Sequence, residues 1–307
     1  MVNLRYECGN EYGGTYQFQA TRFVKTRSAN FHEYSWNPDV FQFDYGAEVK
    51  RFLKDPITYS ATLDVRGSTD ERKRWLSDFH NWCDFDIRQK TPGKLYWGDM
   101  YVECYIISTS TEPNEGNVTT SNEIGIYCPY PSWVYPITYA YDQTFSETDV
   151  RNILSRVGDV GDIDIYNDIS HLNVPFVPLS VNFRAVYVGD GTSSTPFIRI
   201  NGSTSITTIN FPNLTLTASE ALVVDSRAGR KTAYVSPING SPPHISSTGT
   251  NVYNLREANT RPFRQFFPFL SYTAGGYRTG YFLLPNGANR TILTVFLERS
   301  EPAWISS

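Results

Sequence analysis

Residues 68–108 read STDERKRWLSDFHNWCDFDIRQKTPGKLYWGDMYVECYIIS, and this stretch predicts a helix followed by a hairpin. It begins with a capping box, in which the Ser68 hydroxyl accepts from a first-turn N–H and Glu71 reaches back to the N–H of Ser68. Five apolar residues then recur on one helical face: Trp75, Leu76, Phe79, Trp82 and Cys83. The spacing predicts an amphipathic helix over residues 69–83, which needs a large apolar partner surface.

The second half of the stretch predicts that surface. Gly98-Asp99 lies between two apolar runs and is a two-residue hairpin signal, so a hairpin is expected over residues 95–107. Its large side chains fold back onto the helix or form a contact patch for another subunit, because aromatic residues and Met are enriched at interface cores. The candidate interface residues are Leu95, Tyr96, Trp97, Met100 and Tyr101.

The chain on either side of this stretch is typical of strands and turns. Apolar and polar residues alternate over Thr15–Ala20, Asp39–Tyr45 and Ile57–Val65, which predicts strands. Pro129 and Pro131 interrupt the next apolar run, because two prolines cannot continue a central strand. We therefore expect a first domain over residues 1–140, a β-barrel or sandwich with one amphipathic helix.

The second half predicts an all-β domain over residues 161–307, after a connector over residues 141–160. Helical periodicity is missing there, and turn signals separate short strand-like runs, the pattern of a sandwich or jelly roll. The predicted strands are Val181–Val188, Phe197–Ile200, Ser205–Ile209, Leu214–Thr217, Ala221–Val224, Thr232–Val235, Tyr281–Leu284 and Ile292–Leu297.

Composition and charge limit the possible functions. Hydrophobic residues make up 40% of the chain and aromatic residues 15%, which suits a folded β protein. A net charge of −4 gives no basic footprint for nucleic acid, and no apolar run is long enough to predict a membrane span or a secretory signal. The four cysteines lie far apart, so we expect free, buried thiols.

No pattern in the sequence predicts catalysis. Zinc-protease spacing, a nucleophile elbow and a phosphate loop are all missing. Four Asp residues between 159 and 168 lack the spacing of a calcium loop and suit turns better. We therefore predict no catalytic residue, no metal and no cofactor, and we do not expect an enzyme.

The order of these segments resembles the distal tail protein family of long-tailed bacteriophages. The resemblance rests on residues 57–108, EIGIYCPYPSW at 123–133, VYVGDGTSSTPFIRING at 186–202, LTLTASEALVVDSRAGRKTAYV at 214–235 and FLLPNGANRTILTVFLERSEPAW at 282–304. It implies an N-terminal ring-forming hub domain and a C-terminal galectin-like jelly-roll β-sandwich.

The resemblance implies a structural function in the virion. The chain would form a homo-oligomeric ring of six at the distal end of the tail tube, after assembly in the host cytoplasm. Its partners would be the tail tube protein, a tail-tip or tail-associated protein, and receptor-binding proteins for host attachment. DNA would pass through the ring without sequence-specific binding.

An alternative is a lectin-like adhesion module in the second domain. A galactoside site would need an Arg after the His171-Leu172-Asn173-Val174-Pro175 segment, and the sequence has none, so galectin chemistry does not follow from the fold. Tyr272, Tyr277 and Tyr281 could stack on another sugar, although packing within the sandwich explains them as well.

Overall fold

The computed structural model describes residues 3–10, 13–19, 22–111, 118–140, 153–155, 163–164, 180–189, 197–201, 206–227, 232–239, 244–245, 249–255, 271–273, 276–278, 281–283 and 291–302. The chain divides into two compact units: unit 1 contains Met1–Tyr135 and Arg299–Ser307, and unit 2 contains Pro136–Glu298. The predicted mainly β architecture is confirmed, with one α-helix among the described residues. The sequence pattern does not predict that Arg299–Ser307 belong to unit 1.

Unit 1 contains the helix, nine complete strands and the start of a tenth. The elements are β1 Leu4–Glu7, β2 Thr15–Gln17, β3 Val24–Ala29, β4 Asn37–Phe43, β5 Gly46–Leu53, β6 Ile57–Arg66, α1 Thr69–Gln89, β7 Gly93–Trp97, β8 Met100–Thr111, β9 Thr119–Cys128 and β10 Trp133–Ala140, whose last residues belong to unit 2. The pairing is antiparallel throughout unit 1.

Strand β8 joins the two sheets of unit 1. Its first half pairs with β7 in the order β2-β1-β7-β8, and Val134 at the start of β10 pairs with Tyr101. Its second half pairs with β9 in the order β3-β6-β9-β8. The register shifts between Ile106 and Ser108, a local irregularity of the kind that lets one strand bend between sheets.

Helix α1 begins as the sequence predicts and ends later. The Ser68 side chain accepts from the Glu71 N–H, the Glu71 carboxylate accepts from the Ser68 N–H, and the capping box is complete. The helix runs to Gln89 rather than Cys83, because the buried face continues to Asp86. Lys90 then adopts a left-handed conformation, with φ 55°, which ends the helix ahead of Pro92.

The inner face of α1 packs on aromatic side chains of the N-terminal strands. The Phe79 ring lies 5.1 Å from Tyr16, 5.7 Å from Phe18 and 6.2 Å from Tyr6, all between ring centroids and all edge-on. Edge-to-face geometry at these distances is favourable for aromatic pairs. Trp75 and Trp82 lie beside this face and are half-buried.

A buried carboxylate fastens the N-terminal segment to the helix. Asp86 is fully buried and accepts from the Tyr6 hydroxyl at 3.0 Å, the Gly9 N–H at 2.9 Å and the Asn10 side-chain amide at 2.9 Å. A buried charge is tolerated where hydrogen bonds replace its lost hydration. The three bonds therefore hold residues 6–10 against the C-terminal half of α1.

Unit 2 contains the remaining elements. They are β11 Ile153–Ser155, β12 Ile163–Asp164, β13 Ser180–Val188, β14 Phe197–Asn201, β15 Ile206–Asn210, β16 Glu220–Asp225, β17 Thr232–Asn239, β18 His244–Ile245, β19 Thr250–Asn251, a 3-10 turn Tyr253–Leu255, β20 Ser271–Thr273, β21 Gly276–Arg278, β22 Tyr281–Leu283 and β23 Thr291–Arg299, whose last residue belongs to unit 1. Strand β11 lies within the predicted connector and pairs with β10 in parallel.

Two antiparallel sheets form most of unit 2. One has the order β18-β17-β16-β13-β23, and the other has the order β12-β22-β14-β15. Val186, Val188, Ala221, Val223 and Ile292 form a buried cluster on the first sheet.

One predicted strand of this unit is wrong. Residues 214–217 are not a strand, and Glu220 closes this segment by accepting from the Thr217 N–H at 3.0 Å and the Thr217 hydroxyl at 2.9 Å. Leu216 is nevertheless buried. The alternation in LTLT therefore reflects one packed leucine in a turn-rich segment, not a strand with one buried face.

Candidate functional site

The described residues contain no group of three or more acidic, Cys or His side chains that could hold a metal. No helix among them is long and apolar enough to cross a membrane. Burial raises the pKa of Tyr6 and Tyr16, whose hydroxyls donate to Asp86 and Asp78, and partial burial raises the pKa of Cys8 to about 12. All four cysteines are free; three are buried as expected, whereas Cys8 is only partly buried.

The feature that stands out is a hairpin without packing. Strands β4 and β5 pair with each other and with no other described strand. Every residue from Val40 to Leu53 is exposed, and the remaining residues from Asn37 onward are exposed or half-buried. We call residues 37–53 the arm.

The arm is rich in apolar side chains that face solvent. Tyr45, at the tip, is 102% exposed, and the other large exposed groups lie along both strands. The exposed apolar residues of the arm and the segment that leads into it are Tyr34, Trp36, Val40, Phe41, Phe43, Tyr45, Val49, Phe52 and Leu53. A concentration of exposed large apolar side chains in one segment is typical of an interaction site.

A few contacts within the arm keep it formed. The rings of Phe41 and Phe43 meet at 4.9 Å, and the Lys50 ammonium lies 5.0 Å from the centre of the Phe41 ring. Arg51 Nε donates to Asp39 Oδ2 at 2.9 Å across the base of the hairpin. These contacts are exposed, and a lone two-stranded hairpin is marginally stable in water. The arm is therefore typical of a segment that becomes stable when it packs against another surface.

The residues predicted as an interface lie elsewhere. Leu95, Tyr96, Met100 and Tyr101 are buried within unit 1, and Trp97 is half-buried. Within this single chain they are therefore core residues, and their role in a contact with another subunit stays a prediction. The physical reason is that β7 and β8 lie inside a sheet, between β1 and β9 or β10, so their side chains meet the domain's own core.

Two contacts illustrate this burial. The Arg5 guanidinium lies 4.0 Å from the centre of the Tyr96 ring, and Phe31 meets Trp97 edge-on at 6.1 Å. Gly93 is required on the same strand, because a Cβ there would come within 2.2 Å of the Tyr6 hydroxyl. The hairpin is thus part of the packing of unit 1.

The candidate sugar-contact residues lie in short strands of unit 2. Tyr272 is on β20 and is the direct cross-strand partner of Tyr277 on β21. Tyr281 is on β22 and pairs with Asp164 and Asn201. Their side chains lie outside the described part of the chain, as does the segment 171–175, so the sugar-contact prediction stays a prediction.

A second exposed surface of unit 1 lies on the helix. Residues Arg74, Asp78, Asn81, Phe85 and Arg88 recur at i, i+4, i+7, i+11 and i+14, which places them on one face, and all are exposed. We call these five residues the outer stripe. The ring of Phe85 meets that of Trp82 edge-on at 5.8 Å, so an aromatic pair lies near the Arg88 end of the stripe.

Comparison with known proteins identifies the fold. No protein-family model matches the sequence, and no characterised protein matches it by sequence. A chain of the phage P2 baseplate in its activated conformation with Ca is 12% identical, with a TM-score of 0.58 over 98% of this chain and 100% of that one. A baseplate structure of phage p2 with Sr gives 11% identity, a TM-score of 0.56, and coverage of 98% and 100%.

The third similar structure is a Dit protein, from the distal tail protein family that the sequence resembles. SPP1 Dit, described as a hub adsorption apparatus protein of phages that infect Gram-positive bacteria, is 8% identical. Its TM-score is 0.52 over 97% of this chain and 99% of that one. The likeness spans the whole length of each chain, so the resemblance predicted from the sequence is confirmed for the fold. This chain has the fold of phage baseplate and Dit hub proteins.

Proposed function

We propose that the chain is a structural subunit of a phage tail, present in the virion at the distal end of the tail tube. Six copies form a ring-shaped hub that joins the tube to tail-tip and receptor-binding proteins. The hub holds these proteins for host attachment and leaves an open path for DNA. The function is mechanical, and no enzymatic step is part of it.

The observation that carries this proposal is the full-length likeness to baseplate and Dit structures in both units of the chain. Whole-chain coverage matters because a shared domain alone would leave the architecture of the assembly open. The absence of a metal-binding cluster among the described residues and the net charge of −4 fit a scaffold through which DNA passes unread.

The arm supports self-assembly independently. A ring needs a heterologous interface, in which two different patches of each subunit are complementary. An exposed apolar hairpin that pairs with no other described strand of its own chain suits one of these two patches. Burial of its aromatic side chains would stabilise the interface by about 25 cal/mol per Å², less the cost of association.

The experiment is negative-stain electron microscopy of the purified full chain, combined with its mass in solution. We expect closed rings with an open centre and a mass close to six times 34.9 kDa. A monomer at every concentration, with no ring in the images, contradicts the proposal. An open helical filament also contradicts it, because the interface would then fail to close.

The alternative function is a lectin-like adhesion module in unit 2. It rests on Tyr272 and Tyr277, which are direct cross-strand partners on a two-stranded sheet and so lie side by side. A glycan array with the full chain and a Tyr272→Ala/Tyr277→Ala variant separates the two. Binding lost in the variant while rings persist would add adhesion to the hub function.

A further inference from the structure

The two exposed surfaces of unit 1 have matching chemistry. At the tip of the arm, Asp44 and Glu48 are exposed beside three aromatic side chains, Phe41, Phe43 and Tyr45. Asp39, the third acid of the arm, already pairs with Arg51 at the base. The Lys50 ammonium lies over the Phe41 ring and Arg51 pairs with Asp39, so the charged side chains of the arm leave a net charge of −1.

The outer stripe of α1 has a net charge of +1, from two Arg and one Asp, and an aromatic pair near its Arg88 end. Arg74 and Arg88 lie at its two ends, and Phe85 lies between them against Trp82. The carboxylate in the stripe, Asp78, accepts from the Tyr16 hydroxyl at 2.6 Å and so already has a donor within its own chain. Arginine is the cation best suited to stack on aromatic rings and to bind carboxylates.

The two surfaces also match in length. Strand β4 has seven residues, so the arm extends about 23 Å at about 3.3 Å per residue. From Arg74 to Arg88 the helix rises about 21 Å at about 1.5 Å per residue. An arm laid along the stripe would therefore cover it from end to end.

We propose that the arm of one copy lies along the outer stripe of α1 in the next copy. Asp44 and Glu48 both lie in the tip half of the arm, so the tip faces the end of the stripe that holds Arg88. Phe41 and Phe43 then pack on Phe85 and Trp82. This inference rests on the proposed function, since it names the surface that receives the arm within the ring. It explains why the arm and the stripe are both exposed within a single chain.

The test uses two chains with reversed charges. One chain carries Asp44→Arg and Glu48→Arg in the arm, and the other carries Arg88→Glu in the stripe. Each is measured alone and then mixed in equal amounts, by light scattering after size exclusion at low salt. Like charges then face each other in each variant alone, so its apparent dissociation constant should rise at least about tenfold.

The mixture should restore assembly, because each arm then finds a stripe of opposite sign in the other chain. Restored rings would contain the two variants in equal number. A chain that carries all three substitutions should also assemble alone. A Lys73→Glu variant is the matched control: the same charge reversal, at an exposed site about 100° around the helix from Arg74 and about four turns from Arg88, should leave assembly unchanged.

The outcomes separate this inference from the proposed function. If the wild-type chain forms rings but the stripe variant also forms them normally, or the mixture does not recover, the arm packs elsewhere and the inference is wrong. If the wild-type chain forms no ring, the proposed function is wrong. Circular dichroism on each variant distinguishes lost assembly from lost folding.

Discussion

Unit 1 contains two aromatic hairpins whose environments are opposite. The arm, residues 37–53, exposes nearly all of its large side chains, whereas the β7–β8 hairpin buries Leu95, Tyr96, Met100 and Tyr101. Both have apolar residues on paired strands around a tight turn. What differs is the neighbourhood: β7 and β8 are paired on their outer edges, but the arm pairs with nothing else that the structure describes.

We expect the β7–β8 hairpin to act in the folding of a single chain and the arm to act in the assembly of several chains. Side chains of the β7–β8 hairpin contribute to the stability of a single chain, because they fill its core. Side chains of the arm contribute little to that stability, and we expect them to act in contacts between chains. Substitutions in the two hairpins should therefore change different measurements.

The largest expected effect is on assembly. A Phe41→Ser/Phe43→Ser/Tyr45→Ser variant should raise the dissociation constant of the ring at least about a hundredfold, since buried aromatic residues dominate interfaces. The measurement is sedimentation velocity over a range of concentrations. Unfolding by urea should be unchanged within about 0.5 kcal/mol. A ring of unchanged stability would contradict the proposal that the arm forms the interface between subunits.

The next effect is on folding. Leu95→Ala should lower the free energy of unfolding by about 2–5 kcal/mol, because it leaves a cavity in a fully buried site. The matched control is Val40→Ala in the arm, for which we expect less than about 0.5 kcal/mol. Urea denaturation at a concentration where the chain is monomeric measures both. Equal losses of unfolding free energy at the two positions would contradict the expected difference between the hairpins.

A third effect concerns the link between the helix and the N-terminal segment. Asp86→Ala should cost about 2–3 kcal/mol, because Tyr6, Gly9 and Asn10 then lose their acceptor in a buried site. Hydrogen exchange should speed up at the Gly9 amide more than in strand β6. An unchanged rate at Gly9 would mean that Asp86 does not hold this segment.

A smaller effect is expected at the start of α1. Ser68→Ala removes the N-cap and should cost about 1 kcal/mol. Ser77→Ala, at an exposed position within the same helix, is the control and should be neutral or slightly stabilising. Thermal unfolding distinguishes the two, and a loss at both positions would argue against a specific cap.

The smallest effect is a dependence on pH. Burial lowers the pKa of His32, partly offset by Glu301, and burial lowers the pKa of His80, partly offset by Asp84. The folded state thus binds protons less readily than the unfolded chain. These two groups contribute stability above the ordinary histidine pKa of about 6.5, and that contribution is lost as the pH falls through it.

The measurement is the free energy of unfolding from about pH 7.5 to about pH 5.5. A His32→Gln/His80→Gln variant should show a shallower loss over this range than the wild-type chain. Parallel curves for the two proteins would assign the pH dependence to other groups.

The sequence predicts local structure well where the cause is local. Ser68 and Glu71 set the start of α1, and Gly98, with φ 63°, forms the predicted turn of the β7–β8 hairpin. The end of α1 was not predictable, because the burial of Asp86 depends on donors that lie 76 to 80 residues away in the chain. From the sequence alone, a polar residue at position 86 is expected to face solvent.

The arm shows why the candidate site was missed. Alternation over Asp39–Tyr45 is the pattern of a strand with one buried face, and the sequence does not say whether that face meets the chain's own core or a partner. The sequence of the β7–β8 hairpin is equally compatible with both possibilities, but there the apolar side chains meet the chain's own core. Only the pairing of neighbouring strands, set by contacts far apart in sequence, distinguishes them.

The most direct test of this account replaces residues 38–52 with an Asn-Gly turn. Asn37 and Leu53 are cross-strand partners, so a two-residue turn can join them without strain. We predict that the wild-type chain has a light-scattering mass near six times 34.9 kDa, and that the shortened chain is a folded monomer. A shortened chain that still forms the ring would contradict the account.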